Sequence, residues 1–101
     1  MMSQSAPKTS IPGLRIDRWL VFARFCRSRE LAETMVSRSR IRLNGRVVEK
    51  PHTLVRPGDI LTLPLKSAPI VVRILALPAR RGPAPEARAG YELLPPQGMN
   101  D

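Results

Sequence analysis

Apolar positions along the chain follow a helical period first and a period of two afterwards. Ile16, Trp19, Leu20 and Ala23 recur at i, i+3, i+4 and i+7, the stripe of an amphipathic helix. Arg15 and Arg18 fall on the opposite side of that helix. Phe22 lies near them, outside the stripe. Either it packs under a neighbouring segment or it is an exposed aromatic in a basic patch; the solubility cost of a lone exposed Phe favours packing. Phe25-Cys26-Arg27 is the predicted turn. Ser28 is a good N-cap for a second helix, with Glu30 and Glu33 in the first turn, where the helix dipole favours anions. Leu31, Ala32, Met35 and Val36 are its predicted buried stripe.

The period then changes. Ile41-Arg42-Leu43, Asn44-Gly45 and Arg46-Val47-Val48 form a hairpin signal, because Asn-Gly tolerates positive φ at both central positions of a type I′ turn. Alternation places Ile41 and Leu43 on one face and Arg42 on the other. Leu54-Val55 reads as a short strand, Pro57-Gly58-Asp59 as a turn, and Ile60 to Leu63 as a strand stopped by Pro64. The β-branched run Ile70 to Leu75 predicts another strand. Pro85 opens a predicted one- or two-turn helix containing Glu86, Ala87 and Tyr91. The expected fold is α+β, with two N-terminal helices packed on a small, mostly antiparallel sheet. Residues 1–13 are expected to be disordered and 95–101 to be a flexible tail. The main unit is expected over 14–65, with a C-terminal strand and short helix, 66–94, packed on it.

A chain of 101 residues has room for one small domain. Charge changes the picture more than size does. Seventeen Lys+Arg against eight Asp+Glu give a net +9, a range in which nucleic acid or an anionic membrane is the expected partner. Arginine outnumbers lysine heavily, and its planar fork suits phosphate. A preference for arginine codons explains Arg over Lys but not the excess of positive charge. Arg15 to Lys50 holds ten basic and four acidic residues, without the balanced pairing of a solvated helical face. For Arg38 and Arg40, compensation of the helix dipole is the alternative to a binding role.

Candidate chemistry is sparse. One Cys (Cys26) and one His (His52) provide neither a disulfide framework nor a metal cluster. No carboxylate pair and no glycine-rich phosphate loop is present. The reading is therefore a binding protein rather than an enzyme, with no cofactor. Neither a signal peptide nor an apolar run of membrane-spanning length occurs, so the expected location is cytoplasmic. Glu30 and Glu33 on the outer surface of the second helix disfavour its insertion in a DNA groove. Arginines at helix ends and a hairpin suit a folded RNA read by its backbone.

Arg15-Ile-Asp-Arg-Trp-Leu, Arg24-Phe-Cys-Arg-Ser-Arg, Arg42-Leu-Asn-Gly and Arg56-Pro-Gly-Asp-Ile resemble the S-four-type RNA-binding domain, or alpha-L motif, over about Leu14 to Leu63. The strand Ile70 to Leu75, Arg80-Arg-Gly-Pro-Ala-Pro-Glu-Ala and Tyr91-Glu are similar to the small ribosome-associated heat-shock subfamily. The resemblance implies binding of structured RNA, ribosomal RNA of the large subunit, with nascent chain and tRNA present, and a role in rescue or recycling of stalled subunits or in the heat-stress response. Carried over by position, the RNA-contacting residues are Arg15, Arg18, Arg27, Ser28, Arg29, Arg38, Arg40, Arg42, Asn44, Arg46 and Lys50. Asp17 is expected to orient a neighbouring arginine. The alternatives are a tRNA- or mRNA-binding regulator and a module docking on an acidic protein surface. The chain departs from the family's pattern in Ser39, where glycine is frequent. It also has Val21 where a second Trp is common and Phe22 where a small residue is. Longer members carry a charged C-terminal extension, whereas this sequence stops at Asp101.

Overall fold

A computed structural model describes residues 13–38, 40–65 and 68–95. The expectations for residues 1–12 and 96–101, and for Ser39, lie outside the described residues. The elements in order are β1 (Leu14–Arg15), α1 (Ile16–Phe22), α2 (Arg29–Arg38), β2 (Arg42–Leu43), β3 (Arg46–Val47), β4 (Leu54–Val55), β5 (Ile60–Pro64), β6 (Pro69–Ile74), α3 (Ala84–Arg88) and β7 (Tyr91–Leu94). Five strands form an antiparallel sheet in the order β3-β2-β5-β6-β7, and β1 pairs with β4 in a separate two-stranded ribbon. The α+β expectation holds. The sheet does not stop at β5: β6 and β7 continue it.

The core sits between the helices and one sheet face. Ile16, Trp19 and Leu20 of α1 meet Ala32 and Val36 of α2, Ile41, and the inward residues of alternate strand positions, Leu61, Leu63, Val72 and Ile74. On the outer face, exposed Arg73 of β6 pairs with Glu92 of β7. The period-two alternation thus gives the sheet one buried and one solvated face.

Helix α1 starts directly from β1. Arg15, its N-cap, makes no side-chain cap bond. Instead the 51–53 turn accepts the first amides: Ile16 donates to the Thr53 carbonyl at 2.8 Å and Asp17 to the Pro51 carbonyl at 3.3 Å. The helix ends in a Schellman arrangement, with Phe25 N–H donating to the Leu20 carbonyl and Arg24 N–H to the Val21 carbonyl. The residue at positive φ there is Arg24 (φ 72°), where glycine is usual. Its guanidinium donates to the Gly82 carbonyl at 2.8 Å, tying the loop before α3 to the end of α1.

Two expectations about packing fail. Leu31, predicted to be buried, is 55% exposed. Helix α2 packs chiefly on α1 and buries only the line through Ala32 and Val36, with Met35 beside it. Leu31 lies about 100° round the helix from Ala32, at the margin of that line and one turn before Met35, in the first turn of the helix. Tyr91, predicted in the last helix, is the first residue of β7. Pairing with β6, Ile74 opposite Tyr91, takes it into the sheet, and its ring closes a cluster with Trp19 and Phe25 at centroid distances of 6.1 and 5.3 Å.

Candidate nucleic-acid interface

Asp17 is the organising residue of the basic surface. It is fully buried, and a buried carboxylate needs charged or hydrogen-bonding partners. Its Oδ1 accepts from the Arg18 backbone amide at 2.7 Å, in the first turn of α1 where the dipole favours an anion. Arg15 grips the same carboxylate with two prongs, Nε to Oδ1 at 3.1 Å and Nη2 to Oδ2 at 2.8 Å. Arg29, at the start of α2, places Nε 3.7 Å from Oδ2 and 3.5 Å from Glu33. The hydrogen bonds to Asp17 push the Arg15 guanidinium above its already high ordinary value, so its charge is permanent. Arg15 and Arg29 are therefore brought together by one buried anion.

Arg18 joins this group from one side. With Arg29, Val21 and Phe22 it lines a shallow apolar depression of about 270 Å³. Phe22 belongs neither to the core nor to the layer packed on it. It is nonetheless only partly exposed, between the packed and the exposed expectation.

Next to the cluster, Ser28 caps α2 as predicted, accepting the Leu31 amide on Oγ at 3.2 Å. Its hydroxyl proton remains available to donate. Arg27 is exposed one residue earlier.

The remaining positions do not form one continuous face. Arg38 is nine residues beyond Arg29, half a turn out of phase on a 3.6-residue period, so the two project to opposite sides of α2. Arg40, exposed and at φ 56°, carries the chain out of the helix. In the hairpin, Arg42 faces Val47 and Thr62 across the strands, and Arg46 faces Leu43. Directly opposed residues share a face, so Arg42 and Arg46 project to opposite faces, both exposed. Lys50 is exposed, and its carbonyl accepts from the Thr53 amide and hydroxyl.

Asn44 is committed to the fold. At φ 51° beside Gly45 at φ 89°, it makes the predicted turn. Its Nδ2 donates to Asp59 Oδ1 at 3.0 Å and its Oδ1 accepts from the Ile60 amide at 2.9 Å. Asp59 Oδ2 in turn accepts the Arg56 amide at 2.8 Å. The side chain expected to touch RNA also locks the hairpin tip to the Pro57-Gly58-Asp59 turn. Composition carried no sign of this, although the Asn-Gly and Pro-Gly-Asp turn signals marked both partners.

Comparison with known proteins places this geometry. Residues 14–61 match the family model of the S4 domain. The chain is 35% identical over 79 residues to heat shock protein 15 of Escherichia coli K12, spanning 78% of this chain and 59% of that protein. It is 32% identical over 79 residues to the heat shock protein 15 homolog of Haemophilus influenzae, spanning 78% and 60%. It thus spans less than two thirds of the length of these curated relatives. The trimeric structure of Vibrio cholerae heat shock protein 15 superimposes with a TM-score of 0.76 at 31% identity, covering 82% of this chain and 83% of that one. The chain belongs to the S4 domain family, in its heat shock protein 15 subfamily.

Proposed function

We propose that this protein binds structured RNA, ribosomal RNA of the large subunit, and acts in the cytoplasm in rescue or recycling of stalled ribosomal subunits or in the heat-stress response. One observation carries the reading: buried Asp17 holds Arg15 and Arg29 together next to Arg18, at a serine-capped helix start. Such a cluster presents fixed guanidinium donors to a phosphate backbone at reduced entropic cost. Similarity to proteins named for heat shock supports the stress context.

The contact has two parts. Arg15, Arg18, Arg27, Ser28 and Arg29 form the first; Arg38, Arg40, Arg42, Asn44, Arg46 and Lys50, at the helix exit and hairpin, form the second. Because the second set points to more than one side, it fits a partner that wraps or is concave, as folded RNA is, better than one straight DNA groove. Glu30 and Glu33 on α2 favour RNA over DNA for the same helix.

The test is sedimentation of the protein with separated ribosomal subunits over a salt series. Comigration with the large subunit, released as salt rises and displaced by free large-subunit RNA, is expected. Comigration with neither subunit would overturn the ribosomal assignment. Displacement by an acidic protein but not by RNA would support docking on a protein surface instead.

A further inference from the structure

Phe22 is the one large apolar side chain of α1 that the core and its packed layer do not take up. It is partly exposed and shares its depression with two cations, one from each helix. Arg18 precedes it by four residues, one turn away on the same side of α1. Arg18 has no carboxylate partner among the described residues. Arg29 spends its Nε edge on long contacts of 3.7 Å to Asp17 and 3.5 Å to Glu33. Its other guanidinium nitrogens keep donors to offer.

An apolar protein side chain would fit the floor of this depression and have no use for the two flanking cations. A phosphate alone would use the cations and have no use for the ring. A nucleotide with its base turned out uses both. The volume, about 270 Å³, is at the small end of ligand pockets and suits a single planar group. Unpaired bases are held by stacking on aromatic side chains and on guanidinium planes.

We infer that this depression is a stacking site for one unpaired nucleobase, with the flanking phosphates on Arg18 and Arg29. This rests on the RNA-binding reading above and names the element of RNA structure that the start of α1–α2 recognises: a bulged or looped-out nucleotide rather than a continuous duplex.

The test uses three short RNA hairpins that differ at one site: a single bulged adenosine, an abasic ribose at that bulge, and a fully paired stem. The full chain should bind the bulged hairpin most tightly. Phe22→Ala should lose roughly 5- to 150-fold on that hairpin, the range of one base–aromatic stack, and be unchanged on the paired stem. Phe22→Trp should retain the preference and Phe22→Leu, which keeps apolar bulk without a ring face, should lose it. Equal folding of the variants is checked by thermal melting. Equal affinity of the full chain for all three hairpins, or equal loss by Phe22→Ala on all three, would overturn the stacking site and leave RNA binding standing. A change in oligomeric state in Phe22→Ala with hairpin affinities unchanged would assign the depression to a protein contact and overturn it too. No binding to any hairpin would overturn the RNA reading and the stacking site together.

Discussion

Arg15 and Asp17 lie two residues apart across the junction of β1 and α1, and their side chains form a two-pronged ion pair at 2.8 and 3.1 Å. The carboxylate is fully buried while the arginine side chain is 34% exposed. The pair therefore links the interior to the surface on which RNA is proposed to sit. Asp17→Asn keeps the size and an acceptor for the Arg18 amide but removes the charge that holds Arg15 and Arg29. It is expected to destabilise the fold by about 1.5–3 kcal/mol, the worth of hydrogen bonds to a charged group. Urea denaturation measures this, and RNA affinity should fall as well because the two guanidinium groups lose their common anchor.

Arg29 and Arg42 should respond differently to charge reversal. Arg29→Glu places a second carboxylate beside buried Asp17, so it should lower the melting temperature as well as RNA affinity. Arg42 is exposed, and among the described residues its side chain makes one hydrogen bond, to the Gly45 carbonyl at 3.2 Å. Arg42→Glu should leave the melting temperature nearly unchanged. If Arg42 contacts phosphate, binding titrations over a salt series should show the slope of log K against log salt reduced by about 1.

Asn44 has two separable contributions, its amide bonds and its tolerance of positive φ. Asn44→Gly removes the first and keeps the second; Asn44→Ala removes both. The alanine variant should be less stable than the glycine variant by about 1 kcal/mol, and both less stable than the parent. Equal stability of all three in denaturant would show that the link to Asp59 and Ile60 contributes nothing.

Trp19 stacks on Phe25 at 5.5 Å and meets Tyr91 edge-on. Trp19→Ala should cost about 3–5 kcal/mol as a large-to-small change in a fully buried site. Tyr91→Leu keeps apolar bulk and removes two ring contacts, each worth about 0.5–1.5 kcal/mol. Hydrogen exchange should then show β7 opening more readily than β5.

Burial pushes the Cys26 thiol above its ordinary value of 9.0. A raised folded value means that the folded state holds its proton more tightly than the unfolded chain does. The contribution of Cys26 to stability is full below the unfolded value and is lost as pH rises through the folded one. Stability measured across the alkaline range should fall more steeply in the parent than in Cys26→Ala. Alkylation of the thiol at pH 8 should be slow until the protein is unfolded.

What the sequence determined by itself is local. The stripe Ile16, Trp19, Leu20 and Ala23, the Ser28 cap, the Asn44-Gly45 turn and the alternation in β5 and β6 depend on neighbours within a few residues, and all are present. The concentration of arginine between Arg15 and Arg46 was equally plain, as was the resemblance carried by its motifs.

Tertiary structure decided which of those arginines act together. A helical wheel assigns Leu31 to a stripe, but burial depends on what packs there, and α2 has a single main neighbour. Tyr91 became a strand residue because a partner edge on β6, seventeen positions away at Ile74, supplied the hydrogen bonds. The separation of Arg42 from Arg46 came from strand register, and the gathering of Arg15 and Arg29 came from one carboxylate taken out of water. Composition counts charges; only the fold, by burying Asp17 and leaving Phe22 partly exposed, determines where they point and what they surround.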